Sequence, residues 1–338
     1  MAPAAEYPRS TIAVGYDGSL TARLAVRWAA EYAADEQCSL RVIHAWVWPL
    51  FTKNLGPVKG IPGSGLRHSG EAILAEGVQL ARGVASASAT NASAASPSDG
   101  AAAGPPAGPP AAAVGVDVGP PAAGPPAAGP PAAGPPAPDV APGVDVEGVM
   151  ETGLPAPVLR EAAAGARLLV VGSRGVGGVM GQLAGSACLD LSGSSPCPLM
   201  VIRRPRAPGA PVVAGVDASA RGLATVAGAV RLAVALRTSL RLVHVDQARA
   251  GGKEAHGRHA ALHGQELLDH ALGEARELAP GLTVSGTLRE GRSAATELVA
   301  AASGADVLVL GAHNRGGGPG NTVSAVLQKA PCNVLITR

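Results

Sequence analysis

The chain has 338 residues, of which 47% are apolar and 15% are charged, enough apolar surface for about two ordinary domains. Lysine and arginine number 27 against 25 acidic residues, and aromatic residues make up only 2% of the chain. These numbers exclude a peptide hormone and a fully disordered chain. They also argue against nucleic acid as a partner, because basic surface and stacking aromatics are both scarce. The cores are expected to consist of Ala, Val and Leu.

Short β-branched runs alternate with longer Ala- and Leu-rich patterns, which predicts βαβ units around a parallel sheet. In the first half of the chain we predict strands at 11–15, 40–45, 144–150, 167–172 and 199–203. Helices are predicted at 21–34, 71–84, 155–164 and 185–191. The first helix has Leu24, Trp28 and Tyr32 at helical spacing, which indicates its buried face.

A low-complexity tract interrupts this pattern. Half of the 30 prolines lie within residues 97–142, in units such as GPPAAGPP, so residues 84–142 are predicted to form no helix or sheet core. Glycine recurs every four or five residues, which excludes a collagen triple helix and leaves polyproline II mixed with coil. We interpret the tract as a spacer, with a proline-rich docking ligand as the alternative.

Outside this tract the sequence repeats itself. TIAVGYDGS from Thr11 matches VVAGVDAS from Val212, RLLVVGSRG matches DVLVLGAHN, and the segments around Cys197 and Cys332 also match. The tract is therefore an insertion in the first copy. The repeat predicts two domains, 8–206 and 207–338, with residues 206–211 as a linker.

The cysteines and the N-terminus bear on the compartment. Cys38, Cys188, Cys197 and Cys332 form no CxxC motif and no cluster with histidine, so we expect reduced thiols, no disulfide framework and no metal site. The N-terminus lacks a basic segment followed by an apolar run, and no stretch of about eighteen apolar residues occurs. A soluble cytoplasmic protein without a membrane partner is the expectation.

Two loops are predicted at the carboxyl ends of the strands, where open parallel sheets bind ligands. The first, GYDGS at residues 15–19, offers the Asp17 carboxylate as an acceptor for a sugar hydroxyl or a base amine. The second, GSRGVGGVMGQLAGS from Gly172, has glycines that let backbone amides approach phosphate, and Ser186 is predicted to cap the next helix. Together they predict a nucleotide site. Spacing alone leaves a structural alternative, in which the glycines mark turns and Asp17 and Ser19 cap a helix. Neither a Walker loop nor, after the first strand, the dinucleotide fingerprint occurs.

With these motifs the chain resembles the universal stress proteins in their tandem two-domain, actinobacterial form. The ATP-binding members carry G-x2-G-x9-G-S/T after the fourth strand, and GSRGVGGVMGQLAGS matches every position of that pattern. The resemblance implies an α/β fold of two tandem Rossmann-like domains of the adenine nucleotide alpha hydrolase type. Each would be a five-stranded parallel sheet flanked by helices, with a disordered Pro/Gly/Ala-rich insertion in the first.

The resemblance also implies a binding site for ATP with magnesium in the first copy. The residues it assigns are Gly15, Tyr16, Asp17 and Ala45 at the nucleoside end, and Gly172, Arg174, Gly175, Gly185, Ser186, Ala187 and Cys188 around ribose and phosphates. Cys188 stands where binders often have Ser or Thr, and Arg174 could equally face solvent.

The second copy departs from this pattern. It keeps Asp217 and Gly311, but Asn314 stands at the second glycine, and the closing pair is Ser324–Ala325 or Gly320–Asn321 depending on the direction of counting. We therefore expect the second copy to be degenerate as an ATP site.

Five histidines are candidates for a functional role. His256, His259 and His263 are spaced i, i+3 and i+7, which we interpret as a solvated helix start, with a weak metal site as the alternative. His44 and His244 occupy equivalent strand ends, where a shared structural hydrogen bond is favoured over acid–base catalysis.

The function predicted from these features is that of a regulatory ATP-binding stress protein acting through unidentified protein partners, and not of an enzyme. No lysine occurs between Lys59 and Lys253, so the cationic clamp of phosphoryl transfer is lacking. Weak incidental hydrolysis stays open. The alternative is a scaffold without nucleotide, whose halves pack as a pseudo-dimer through their last strands and which could form a homodimer. An adenylating enzyme is disfavoured because HIGH and SGGxDS are absent. Arg203, Arg204 and Arg206 are interpreted as a solvated strand end.

Overall fold

The computed structural model describes residues 11–46, 64–94, 144–175, 184–219, 221–247, 262–312 and 318–338. The strands are β1 (Thr11–Gly15), β2 (Ser39–Trp46), β3 (Val146–Thr152), β4 (Leu168–Gly172), β5 (Leu199–Ile202), β6 (Val212–Val216), β7 (Leu240–Asp246), β8 (Val284–Glu290), β9 (Val307–Gly311) and β10 (Asn333–Thr337). The helices are α1 (Leu20–Asp35), α2 (Ser64–Ala94), α3 (Pro155–Ala162), α4 (Ser186–Ser194), α5 (Gly222–Ala235), α6 (Gly264–Leu278), α7 (Ala294–Ala301) and α8 (Asn321–Lys329).

The strands form one ten-stranded sheet in the order β3-β2-β1-β4-β5-β10-β9-β6-β7-β8. Strands β1–β5 of the first half pair in parallel, and so do β6–β10 of the second half. The halves join where β5 and β10 run antiparallel, with Val201 opposite Val334. The predicted α/β fold with two repeated parallel units is confirmed. The domain limits 8–206 and 207–338 stay a prediction.

Helices cover both faces of the sheet. α1, α2, α5 and α6 bury one apolar cluster against it, and α3, α4, α7 and α8 bury the other. Trp28 and Tyr32 of α1 lie in the first cluster with their rings stacked 4.9 Å apart, as the helical spacing predicts. Ala, Val and Leu dominate both clusters, which is the expected composition of the cores.

Several predicted bounds differ from the structure by one to three residues, and α2 differs more, because it begins at Ser64 and not at residue 71. β3 is displaced by two residues from the predicted 144–150, and α2 continues to Ala94, well past the predicted end at residue 84. The prediction that residues 84–142 form no helix is therefore wrong for residues 84–94, because the Ala- and Ser-rich stretch there lacks apolar periodicity but not helix propensity. Residues 95–143 lie outside the described part of the chain.

The arginines after β5 are not a solvated strand end, so that interpretation is wrong. Arg203 Nη1 donates to the carbonyl of Leu327 in α8 at 2.6 Å, and Arg204 Nη2 donates to the carbonyl of Ala305 at 2.5 Å. Arg206 forms an ion pair with Asp35 at 3.3 Å. The charge run looked solvated only because the partners lie more than 100 residues away in sequence.

A reciprocal contact completes the junction between the halves. Arg338, which follows β10 as Arg203 follows β5, donates to the carbonyls of Leu191 and Ser192 in α4 at 2.9 and 3.0 Å. Each half therefore sends one guanidinium to the carboxyl-terminal carbonyls of a helix in the other half, where a cation also interacts favourably with the helix dipole.

Candidate functional site

The loop after β1 is a tight turn that leads into α1. The Ser19 amide donates to Asp17 Oδ1 at 3.0 Å, and the Ser19 hydroxyl caps α1 by accepting from the Ala22 amide at 3.2 Å. Gly18 between them has a φ of 80°, a left-handed conformation that favours glycine. The structural reading of the motif is thus confirmed for Ser19, and the Asp17 carboxylate is fixed in place by the same turn.

A buried histidine holds this loop against the neighbouring strand. His44 Nδ1 lies 2.8 Å from the carbonyl oxygen of Tyr16, and His244 Nδ1 lies 2.9 Å from that of Val216 in the second half. The predicted shared hydrogen bond is confirmed, and both histidines position the backbone after the first strand of their half.

The Tyr16 ring packs onto α2. A side chain at Gly77 would place its Cβ 2.6 Å from Cδ1 of that ring, so the glycine makes room for it. Burial and, to a smaller extent, the nearby Glu76 carboxylate together raise the pKa of Tyr16 to about 12. The phenol is therefore neutral at physiological pH and is part of the packing of α2.

The glycine loop after β4 lies against the start of α1. The hydroxyls of Ser19 and Thr21 both donate to the Arg174 carbonyl, the former at 3.2 Å. A Cβ at Gly172 would lie 2.7 Å from the carbonyl carbon of Thr21, and a Cβ at Gly175 would lie 2.7 Å from Asp17 Oδ2. These glycines allow the loop to approach both the helix and the carboxylate, as no other residue would.

The end of the glycine loop leads into α4. Gly185 occupies the N-cap position with extended backbone angles, its amide donates to the Ser173 carbonyl at 2.9 Å, and no side chain caps the helix. The prediction that Ser186 caps this helix is wrong, because Ser186 is already the first helical residue and is exposed. Cys188 is buried one turn further on, and burial raises the pKa of its thiol to about 12.

The two loops and α4 surround one cavity of about 100 Å³. Ten of the eleven residues that the sequence assigns to a nucleotide site line it: Gly15, Tyr16, Asp17, Ala45, Gly172, Arg174, Gly175, Gly185, Ala187 and Cys188. Ser186 is not among the described lining residues. Residues 176–183 of the glycine loop lie outside the described part of the chain.

Sequence reasoning missed the apolar wall of this cavity. Ile43 of β2, with Pro155 and Leu159 of α3, lines the side opposite the glycine loop. The available signal was Gly15, where a Cβ would lie 3.0 Å from Leu159 Cδ1. A glycine at a strand end indicates close approach, but its identity does not say which side chain approaches.

The second half has an equivalent cavity of about 280 Å³. Gly320 is the N-cap of α8 with the same extended geometry as Gly185, so the closing pair of the repeat is Gly320–Asn321 and not Ser324–Ala325. Asp217 again accepts from the Ser219 amide, at 3.1 Å. Asn314, the expected departure from the glycine pattern, lies outside the described residues.

Within the residues that the structure describes, no group of three or more His, Cys, Asp or Glu side chains could hold a metal ion. None of the described helices is both long and apolar enough to cross a membrane. His263 is the N-cap of α6, whereas His256 and His259 lie in a segment that the structure does not describe.

Comparison with known proteins identifies the fold and the family. The sequence model of the universal stress protein family matches residues 8–124, 136–203 and 210–338. No curated protein matches the chain significantly.

Among solved structures, a universal stress protein from Archaeoglobus fulgidus DSM 4304 is 14% identical with a TM-score of 0.58, over 97% of this chain and 96% of that chain. A universal stress protein from Pseudomonas aeruginosa UCBPP-PA14 is 15% identical with a TM-score of 0.53, over 97% and 93%. At these low identities, the two solved structures show only that the fold is similar. The family match along nearly the whole sequence shows that the chain belongs to the universal stress protein family.

Proposed function

We propose that this protein is a regulatory stress-response protein that binds ATP with magnesium in its first half. The observation that carries the proposal is the contact between the two loops: Gly175 lies against the Asp17 carboxylate at the mouth of a cavity that also contains the start of α4. This contact supports a site at which a carboxylate accepts from the nucleoside and backbone amides bind the phosphates.

Each part of this site has a role in binding. Asp17 accepts a hydrogen bond from the nucleoside end, and the amides at the start of α4 face the phosphates together with Arg174. The Cys188 thiol is a weak donor and is buried. It is therefore a poor substitute for the hydroxyl that Ser or Thr would offer to a phosphate at this position. The protein therefore relies on backbone amides and Arg174 for the phosphates.

The same lining argues against an enzyme. Asp17 and Arg174 are the only charged side chains among the described residues of this cavity. Asp17 is assigned to the nucleoside end, so neither a metal-binding acid nor a catalytic base is left for the γ-phosphate. We expect ATP hydrolysis to be incidental, with a turnover below about 1 per second, the low end of typical enzymes.

Calorimetric titration of MgATP into the full chain tests the proposal. Gly175→Val would push its side chain into Asp17 Oδ2 and should abolish binding. Gly281→Val is the matched control, since a Cβ there meets open space in the turn between α6 and β8. We expect one equivalent of ATP in the intact protein and in the control. Two equivalents, or equal loss in both variants, would contradict a site confined to the first half.

A second candidate is a scaffold that binds no nucleotide and acts through protein partners, with or without forming a homodimer. The narrow first cavity and the continuous sheet through β5 and β10 favour it. No heat and no thermal shift at millimolar ATP would support the scaffold over the nucleotide sensor. Under either function we place the protein in the cytoplasm, because its four cysteines are all free and buried, as in a reducing compartment.

A further inference from the structure

We infer that a cavity at the junction of the halves, on the face of the sheet that α1 and α5 cover, binds a small organic carboxylate with an apolar body. This junction cavity has a volume of about 450 Å³, within the range of small-molecule sites, about 300 to 1,000 Å³. Its described lining shares no residue with the cavities that follow β1 and β6. Its ligand is therefore independent of the nucleotide proposed for the first half.

The space for this cavity comes from small residues on α5. The internal repeat places Gly228 of α5 at the position of Trp28 in α1. Trp28 fills its place in the core, whereas Gly228 has no side chain to fill the equivalent space. A Cβ at residue 228 would lie 2.7 Å from Cγ2 of Thr337, so only glycine allows α5 this close to the end of β10. Ala224 and Ala227 line the cavity beside it.

The floor of the junction cavity is apolar. Met200 of β5 and Leu335 of β10 are opposite each other where the two halves pair, and both line the cavity. Leu168, Pro198 and Leu232 extend this apolar lining. An alkyl chain or a ring placed here is removed from water, which favours binding of a ligand with an apolar body.

Tyr32 of α1 supplies a hydrogen-bond donor. Its side chain lines the cavity and is only 5% exposed. Within the described part of the chain its hydroxyl has no hydrogen-bond partner, because the charged groups around it, Glu36 and Arg167 among them, act on it only through their charges. Burial and, to a smaller extent, the Glu36 carboxylate raise the pKa of Tyr32 to about 12. The phenol therefore keeps its proton at physiological pH and can donate to an anion.

Two guanidinium groups give this part of the cavity a positive charge. Arg167 and Arg231 both line it, and the charge of each lowers the pKa of Tyr32. Arg167 is already paired with Glu36 at 2.5 Å, whereas Arg231 forms no ion pair with any residue that the structure describes. Arg338 also lines the cavity, but its guanidinium donates to carbonyls of α4 on the opposite face of the sheet.

These groups select the class of anion. Arg231 provides about one unit of uncompensated positive charge, which matches a carboxylate better than a phosphate dianion. A planar carboxylate can accept from a guanidinium and a hydroxyl at the same time, and hydrogen bonds between charged partners are the stronger ones. With the carboxylate between Tyr32 and Arg231, the rest of the ligand lies over the apolar floor.

Calorimetric titration of the full chain with octanoate tests the site, with octanol as the uncharged match. We expect one equivalent of octanoate with a dissociation constant below about 1 mM, unchanged when the protein is saturated with MgATP. Octanol should bind at least about tenfold more weakly, and so should octanoate to Arg231→Met, because each change removes a charge-assisted hydrogen bond. Tyr32→Phe should weaken octanoate severalfold. Arg276→Met, at an exposed arginine of α6, is the matched control and should bind octanoate normally.

A second pair of variants tests the place of binding. Ala227→Leu puts a larger side chain into the junction cavity and should abolish octanoate binding, whereas Ala300→Leu on the exposed face of α7 should not. Urea denaturation checks that both variants fold.

Three results would overturn the carboxylate site. The first is the absence of saturable octanoate binding at millimolar concentration. The second is equal binding of octanol, or of inorganic phosphate, in the same cavity. The third is octanoate binding that persists in Arg231→Met and Ala227→Leu or is displaced by MgATP, since octanoate would then lie elsewhere. Octanoate binding to a protein that binds no ATP would refute the proposed function and leave the carboxylate site standing.

Discussion

Gly193 of α4 offers a direct test of how tightly the first half holds the loop that leads into the second cavity. A Cβ at this position would lie 2.7 Å from the carbonyl carbon of Gly318 and from the nitrogen of Pro319. Both atoms are backbone, directly before the N-cap Gly320. Alanine at residue 193 therefore has to move that loop, whereas alanine at Gly83 of α2 meets nothing within 4 Å.

The two substitutions should change stability in opposite directions. Replacing a helical glycine by alanine gains about 1 kcal/mol of helix propensity, and Gly83→Ala should show that gain in full. At residue 193 the contact must lengthen from 2.7 Å by several tenths of an ångström, and overpacking of this kind costs about 1 to 3 kcal/mol. The net result expected for Gly193→Ala is a loss of about 1 kcal/mol in the free energy of unfolding.

Urea denaturation measures the free energy of unfolding of both variants. Gly193→Ala should be less stable than the unchanged protein, because its Cβ would lie 2.7 Å from backbone atoms of Gly318 and Pro319. If Gly193→Ala raises stability as much as Gly83→Ala does, the loop yields freely and the reasoning is refuted.

Three further predictions concern the junction, the pH dependence and the inserted tract. Arg203→Met removes the hydrogen bond to the Leu327 carbonyl and should lower the free energy of unfolding by about 2 kcal/mol in urea denaturation, as expected for a charged donor. The control Arg160→Met, on the exposed face of α3, should lower it by less than about 0.5 kcal/mol. Equal losses would contradict the structural role of Arg203. Burial raises the pKa of the Cys188 thiol from 9.0 to about 12, so the folded chain keeps a proton that the unfolded chain loses. Stability is thus fully present below pH 9 and falls above it, by about 1 kcal/mol between pH 9 and 10. Cys188→Ala should remove that part of the fall, and an unchanged pH profile would show that the thiol ionises equally in both states. Deleting residues 91–137 should leave the affinity for MgATP within about threefold, or about 0.7 kcal/mol. The reason is that a connection from α2 to β3 lies at the amino ends of the strands, opposite the site. A larger loss of affinity in calorimetry would mean that the tract contacts the nucleotide.

The sequence predicted those parts of the fold that depend on local pattern. Buried strands such as β1 and β4 are short β-branched runs, and their bounds follow from the apolar residues themselves. The end of α2 could not be predicted from the apolar pattern, because an Ala- and Ser-rich stretch has helix propensity without apolar periodicity. The hydrogen bond of Arg203 could not be predicted either, because its partner carbonyl lies on a helix of the other half, and local sequence spacing gives no information on contacts between the halves.

For the candidate site, the repeat and the glycine spacing predicted the loops but not their surroundings. Asp17 and Gly175 lie together because β1 and β4 are neighbours in the sheet, and this follows from the topology of parallel α/β folds. The apolar wall formed by Leu159 depends on how α3 packs, which the sequence does not specify. Ser186 illustrates a third limit, since a one-residue difference in where a helix begins decides whether a side chain caps it.

The internal repeat also separates residues that build the fold from residues that select a ligand. The histidine that fixes the first loop and the aspartate in its turn occur in both halves with the same hydrogen bonds. Asp17 alone is therefore weak evidence for ATP, because Asp217 makes the same turn in the second half. The halves differ at Arg174 and in the length of the glycine loop, and both differences lie at the phosphate end.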